Sequence, residues 1–248
     1  MPKLTIEDTE VEAGLVLFDF DGTLVDGEIR HRNLARARTE TIGRLAGPEA
    51  VGNWARLSGV DIDTGGVDPN GPLAGASRRD DMAVAAAAIY LSGRTWNQAR
   101  ELAMRAYEDA DVLQESIYRP VLFHGVEGTL RDLREAGFRL GIATNGEGSS
   151  VEAMARVLGV DHLFDVILGA GDVKEAKPAP DMILLACERT GVAPDETVFA
   201  GDMLDDMQAG KAAGVRAVIA VNNPDELVRV AADYALDSVA DIRVRASV

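Results

Sequence analysis

Two carboxylates separated by one residue, Asp19 and Asp21, stand at the end of the apolar run Leu15-Val16-Leu17-Phe18, and Gly22 and Thr23 follow at once. A carboxylate held on a turn can attack phosphorus to form an acyl phosphate. A second acid beside it can give a proton to the leaving alkoxide and then take one from water. Attack of one anion on another needs neutralising charge, and a magnesium ion together with a lysine can supply it. The parts recur along the chain at comparable places, each just past a short apolar run. They are Thr144-Asn145 after Gly141-Ile142-Ala143, Lys177-Pro178 after the Gly169-Ala170-Gly171-Asp172 turn, and Asp202 with Asp206 after Val198-Phe199-Ala200-Gly201. On this reading Asp19 is the nucleophile and Asp21 the acid/base. Asp19, Asp202 and a backbone carbonyl hold the metal. Lys177 is the point charge that keeps Asp19 ionised, and Thr144 and the amides after it bind the remaining phosphoryl oxygens.

Lysine usage sharpens the choice of cation. Arginine supplies nearly all the basic residues, and the only lysines are Lys3, Lys174, Lys177 and Lys211. Two of the four share one short loop. Lys177, followed by Pro178-Ala179-Pro180, is preferred over Lys174. Asp205 and Asp206 begin a helix, where the dipole favours acids in any case.

These residues meet only if the elements before them share a direction. The run 15–18 is apolar at every position, which marks a strand buried on both faces of a parallel sheet. Beyond residue 118 the pattern alternates regularly. Helices are expected over 125–136, 151–158, from Pro178-Ala179-Pro180 to Gly191, 204–213 and 225–231, many closed by a glycine. Strands are expected over 138–143, 164–168, 198–200, 215–221 and 234–236. Such alternation specifies an α/β fold with a doubly wound parallel sheet, in which all the strand ends that carry the candidate residues face one crevice. Residues 1–13 read as a polar lead-in.

Between these parts lies a block with helical periodicity and no strand signal, residues 27–117. Leu34, Ala35, Ala37, Thr41, Ile42 and Leu45 set one helix, which Gly47-Pro48 stops. A second covers 49–57 with Trp54 as its anchor. Ser77 or Asp80 caps a third, and Thr95 a fourth. The stretch 61–72, rich in Asp, Gly and Pro, is a loop too long for a simple connector, either a surface excursion or a substrate-facing lid. Trp54, Tyr90 and Trp96 are expected in the core of this block, and Cys187 is expected to be buried. The chain thus divides into 1–26 with 118–248, and 27–117 inserted between them.

The motif set resembles the haloacid dehalogenase superfamily of phosphohydrolases. Asp19-Phe20-Asp21-Gly22-Thr23-Leu24 is similar to its first motif, Thr144-Asn145 to its second and Lys177-Pro178-Ala179-Pro180-Asp181 to its third. Gly201-Asp202-Met203-Leu204-Asp205-Asp206, continuing to Gly214, is similar to its fourth. The resemblance implies a Rossmannoid core with the insert 27–117 as a helical cap that closes over the site and selects substrate. It implies magnesium on Asp19, the Asp21 carbonyl and Asp202. Asp206 and Thr23 stand behind these groups, and Gly22, Thr144, Asn145 and Lys177 take the phosphate. Two positions depart from the pattern. Met203 stands where relatives often carry a hydroxyl, and Gly27 where many carry serine, a change that suits a hinge. The activity implied is hydrolysis of a small phosphomonoester such as phosphoglycolate, a sugar phosphate or a nucleotide. A phosphomutase of the β-phosphoglucomutase kind is the alternative, with a silent binding protein on the same scaffold a third reading. Asp21 argues against dehalogenation.

The bulk properties exclude other classes. A net charge of −16 opposes binding to a nucleic-acid backbone, which needs a basic surface. No apolar run approaches a membrane span, and the N-terminus lacks the pattern of a signal peptide. One cysteine cannot form an internal disulfide. A cytoplasmic protein, monomer or homodimer, is expected. The three histidines, His31, His124 and His162, lack zinc-ligand spacing.

Overall fold

The computed structural model describes residues 1–117 and 120–244. The described chain falls into two compact units, Met1–Asp26 with Pro120–Val248, and Gly27–Arg119.

The first unit opens with β1 (Lys3–Ile6) and β2 (Thr9–Glu12), an antiparallel hairpin, and continues into β3 (Leu15–Phe18). The hairpin overturns the polar lead-in expected for residues 1–13. Leu4, Ile6, Val11 and Ala13 are buried, and the intervening polar positions face outward, so the period-2 pattern is present but short. Glu7 takes a left-handed φ of 53° in the turn.

The second unit is helical: α1 (Gly27–Ala46), α2 (Pro48–Ser58), α3 (Pro72–Gly75), α4 (Arg78–Leu91) and α5 (Trp96–Ile117). Ser77 caps α4 by accepting from the Asp80 N–H. Thr95 and Gln98 exchange reciprocal bonds at the start of α5. Alanines 85, 86, 88, 99, 103 and 106 are buried, and their small side chains let α4 and α5 approach closely around Trp54, Ile89 and Tyr107. Arg38 and Asp81 form a buried ion pair here, with the guanidinium 4.1 Å from the Tyr107 ring centroid. Tyr90 and Trp96 were expected in this core. Instead they pack edge to face against each other at the surface, 53% and 47% exposed. The 61–72 stretch is tied internally. Val60 bridges Val67, and the Asp61 carboxylate accepts from the Asp63 and Thr64 amides.

The first unit resumes with α6 (Val126–Glu135), β4 (Arg139–Ala143), α7 (Gly148–Leu158) and β5 (Val166–Leu168). It continues with α8 (Asp181–Thr190), β6 (Thr197–Gly201), α9 (Leu204–Ala213) and β7 (Ala217–Val221). It ends in α10 (Glu226–Ala231), β8 (Tyr234–Leu236) and β9 (Arg243–Val244), the last pairing with β1. Helices and strands fall within a few residues of expectation. The strand expected from residue 164 starts at Val166 because a 3-10 turn over Asp161–Leu163 precedes it. The one expected from 215 starts at Ala217, after the glycine end of α9.

The six central strands run parallel in the order β5-β4-β3-β6-β7-β8. Both faces are covered. Val16 and Phe18 join one cluster with Val126, Leu130 and Val151, while Leu15 and Leu17 join another with Met182, Ile183 and Phe199. Burying a side chain of this size fully contributes roughly 1.5–3 kcal/mol, so register is fixed along the whole sheet. From β3 the order runs to β4 and β5 on one side and to β6, β7 and β8 on the other. The end of β3 is therefore the topological switch point, where open α/β sheets place their ligands.

Candidate active site

Asp19 is the first residue past β3, and its N–H still donates to the Ala200 carbonyl at 2.9 Å. That bond continues the ladder and fixes the carboxylate at the mouth of the sheet. The turn that follows is closed by Gly22 N–H to Val25 O, 2.9 Å, and Leu24 N–H to Phe20 O, 2.9 Å. Gly22 has φ 82°. A Cβ there would also lie 2.2 Å from Asp202 Oδ2, so both conformation and space demand glycine. The N–H of Gly22 is engaged within the turn, which leaves it a turn-former and removes it from the expected phosphate-binding amides. The Thr23 hydroxyl is buried and donates to Asp202 Oδ1 at 2.9 Å.

Lys177 reaches the same place from the loop between β5 and α8. It is 6% exposed, and its Nζ donates to Asp19 Oδ1 at 2.7 Å, Ala143 O at 2.9 Å and Asp206 Oδ1 at 2.5 Å. All three ammonium hydrogens are thereby used. Lys174 of the same loop is exposed. Asp206, in the first turn of α9, also accepts the Met203 N–H on Oδ2 at 2.9 Å, so it caps its own helix while holding the lysine.

Asn145 takes a different part from the one expected. Its Nδ2 donates to Lys177 O at 3.0 Å, and its Oδ1 accepts from Lys177 N–H at 3.0 Å. One N–H and the oxygen of the side-chain amide thereby hold the lysine's main chain. Thr144 Oγ1 accepts from the Gly146 N–H at 3.1 Å, which leaves its hydroxyl hydrogen to donate elsewhere. Asp21 is half-buried on the turn.

The charge balance is lopsided. Asp19, Asp202 and Asp206 each bring a carboxylate oxygen to within 4.8 Å of the others, and the ammonium of Lys177 is the cation that bonds two of them. Burial pushes the Asp19 carboxyl up to about 6, against the pull of Lys177 and with Asp206 adding repulsion. Burial, then Asp19 and Asp206, push Asp202 well above the ordinary carboxylate range. Burial alone would lower Lys177, but the two carboxylates on it outweigh that and raise it. With all three carboxylates ionised beside one ammonium, two negative charges would be uncompensated in a desolvated site, and burial with that repulsion is what raises Asp19 and Asp202. An all-oxygen donor set of that charge fits a hard divalent cation, and these residues could hold one.

Two residues outside the expected set also touch this machinery, Asn222 and Asn223 beyond β7. Nothing in residue type separates them from ordinary loop asparagines. Their one sequence signal is that they follow directly on an apolar strand.

The parallel sheet, its switch point and the acid–lysine cluster there define a hydrolase of the haloacid dehalogenase type. Residues 14–214 match the family model described as haloacid dehalogenase-like hydrolase, and the chain belongs to that family. It is similar to a phosphoglycolate phosphatase from Pseudomonas putida, with 32% identity over 212 residues that cover 82% of this chain and 68% of the relative. Among solved structures, a predicted phosphoglycolate phosphatase from Haemophilus somnus superposes with a TM-score of 0.68 at 22% identity, covering 93% of this chain and 96% of that one. A putative β-phosphoglucomutase from Thermotoga maritima superposes with 0.63 at 23% identity, covering 92% and 95%. Such neighbours share the fold. The chain is a phosphatase-type enzyme of this family. Among the described residues no helix is long and apolar enough to cross a membrane.

Proposed function

We propose that this chain is a magnesium-dependent cytoplasmic phosphatase, monomeric or homodimeric, that hydrolyses a small phosphomonoester. Phosphoglycolate is the first candidate, and the reaction passes through an aspartyl-phosphate on Asp19. The observation that carries the reading is the Lys177 ammonium bonded at once to Asp19 and Asp206 at the switch point, with Asp202 beside them. The similarity to the Pseudomonas putida enzyme supports the choice of phosphoglycolate over other phosphomonoesters.

Lys177 holds Asp19 ionised and oriented, so the carboxylate attacks phosphorus as the bond to the leaving oxygen breaks. Asp21 gives its proton to the departing alkoxide. It then removes one from the water that attacks the phosphoryl group, and Asp19 is released with inorganic phosphate. The Thr144 hydroxyl and the amides that follow receive the equatorial oxygens. Magnesium, when bound by Asp19, Asp202 and the Asp21 carbonyl, neutralises charge on the transferring group. The helical unit 27–117 is the element that selects the leaving group.

The test is release of inorganic phosphate by the purified protein with magnesium, over phosphoglycolate, sugar phosphates, nucleoside monophosphates and an aryl phosphate. Release with phosphoglycolate ahead of the rest is expected. No release from any member would end the reading, and a rearranged sugar phosphate formed only with a bisphosphate activator would replace it with the mutase.

A further inference from the structure

The loop leaving β7 reaches back to both halves of the acid site through two adjacent side chains. Asn222 lies at φ 54°, in the left-handed region that asparagine visits more readily than most residues. Its Nδ2 donates to Gly22 O at 2.8 Å and to Thr23 O at 3.1 Å. The next residue points the other way. Asn223 Nδ2 donates to Asp202 O at 2.6 Å, while its Oδ1 accepts from Asp225 N–H at 2.7 Å. Asp225 in turn caps α10, so this dipeptide is anchored from behind.

The sheet cannot do this work. β6 lies between β3 and β7, and the ladder fixes registers only as far as the strand ends. Gly22, Thr23 and Asp202 lie beyond those ends, on turns whose relative position must be set by other bonds. Three such bridges are present: Asn222 on the first turn, Asn223 on the second, and the Thr23 hydroxyl to Asp202 Oδ1 between them. The clearance they maintain is small, because even a methyl at Gly22 would meet Asp202 Oδ2 at 2.2 Å.

We propose that Asn222 and Asn223 are positioning residues that hold the Asp19–Thr23 turn and Asp202 at the separation a divalent cation requires. The role rests on the phosphatase reading above and acts through those two turns. Groups behind metal ligands commonly change metal affinity or activity by about 10–100-fold when removed, and a shift of well under 1 Å is enough to degrade a preorganised site.

Three variants test it. Asn222→Gly keeps the left-handed backbone and removes both bonds. Asn222→Asp keeps the shape but sets a charged acceptor against two carbonyls. Asn223→Ala frees the Asp202 turn. Manganese binding to the substrate-free protein is followed by the electron paramagnetic resonance of free Mn2+, beside circular dichroism and the magnesium dependence of phosphate release. Each variant is expected to bind Mn2+ about 10–100-fold more weakly, with Asn222→Asp at least as impaired as Asn222→Gly. The dichroism should be unchanged, and kcat at saturating magnesium should return to within a few-fold of the parent. Parental Mn2+ affinity in the folded variants, a kcat loss that excess magnesium does not restore, variants that only unfold, or a parent that binds no Mn2+ would each overturn the proposal. A parent that binds Mn2+ but releases no phosphate from any ester would sink the phosphatase reading alone, because the binding comparison still decides the role of the asparagines.

Discussion

Replacing Lys177 with methionine keeps most of its volume and removes the charge that links Asp19 to Asp206. Lys177 is 6% exposed, and its ammonium donates to two carboxylates and a carbonyl. Leaving buried charges without their partner costs roughly 3–5 kcal/mol, which for a chain of this size lowers Tm by about 6–20 °C. The loss should depend on pH in a definite direction. Asp19 already sits at about 6 against an ordinary 3.8, so its ionised form costs about 3 kcal/mol in the parent. Without the lysine its carboxyl rises further. A carboxyl raised in the folded state binds more protons there than in the unfolded chain, so stability falls as pH rises through the folded value. Lys177 is itself raised above 10.5, so its contribution is complete below that pH and constant from 5 to 8. Lys177→Met without divalent metal should therefore lie below the parent throughout pH 5 to 8, and further below it at pH 8 than at pH 5. Calorimetry with a chelator present is the assay. Tryptophan fluorescence is unsuitable, since Trp54 and Trp96 both belong to the helical unit. A loss under about 1 kcal/mol at pH 8, or one that does not change with pH, would refute the charge balance drawn here.

Asp21→Asn should lower kcat by about 10²–10⁴-fold with little change in Mn2+ affinity, the signature of a lost proton donor, and steady-state kinetics beside metal titration reads both quantities. Gly22→Ala should destabilise by about 1–3 kcal/mol from its left-handed φ alone. It should also abolish divalent-metal binding, because its Cβ would displace Asp202 Oδ2; thermal unfolding and Mn2+ titration check the two effects separately. Arg38→Met should cost the helical unit roughly 3–5 kcal/mol by stranding the buried Asp81 carboxylate. Trp54 fluorescence should then report unfolding well before the calorimetric transition of the sheet unit.

How much of this was legible in the chain depended on how local each signal was. The run Leu15–Phe18, the glycines that close α7, α8 and α9, and the scarcity of lysine are local or compositional, and they place β3, three helix ends and Lys177 directly. The hairpin β1–β2 escapes the sequence pattern because only three buried residues, Leu4, Ile6 and Val11, mark it and its partner β9 lies at the other end of the sequence. Tyr90 and Trp96 were misplaced because aromatic type predicts burial only on average, and here the two rings shield each other at a helix connection. Asn145, Asn222 and Asn223 were unreadable for a deeper reason. Each uses its side-chain amide as a substitute for backbone pairing between loops far apart in sequence, and an amide carries no periodicity or charge pattern to reveal the partner.

These asparagines and the acids they serve solve opposite halves of one problem. Three carboxylates around one ammonium repel, and the sheet alone would let their turns relax apart. Relaxation would lower the cost of burial and also dissolve the site. The close approach persists because neutral, directional bonds from Asn145, Asn222, Asn223 and Thr23 fix the carriers of the charges. They donate to carbonyls or to a carboxylate, or accept from an N–H, and add no net charge of their own. Bridging by further lysines or arginines would also have held the turns, but each would have cancelled part of the negative charge that draws a divalent cation. The scarcity of cations around the acids among the described residues, and the amide bridges in their place, are two aspects of one arrangement: a cluster of oxygens that could hold a divalent cation.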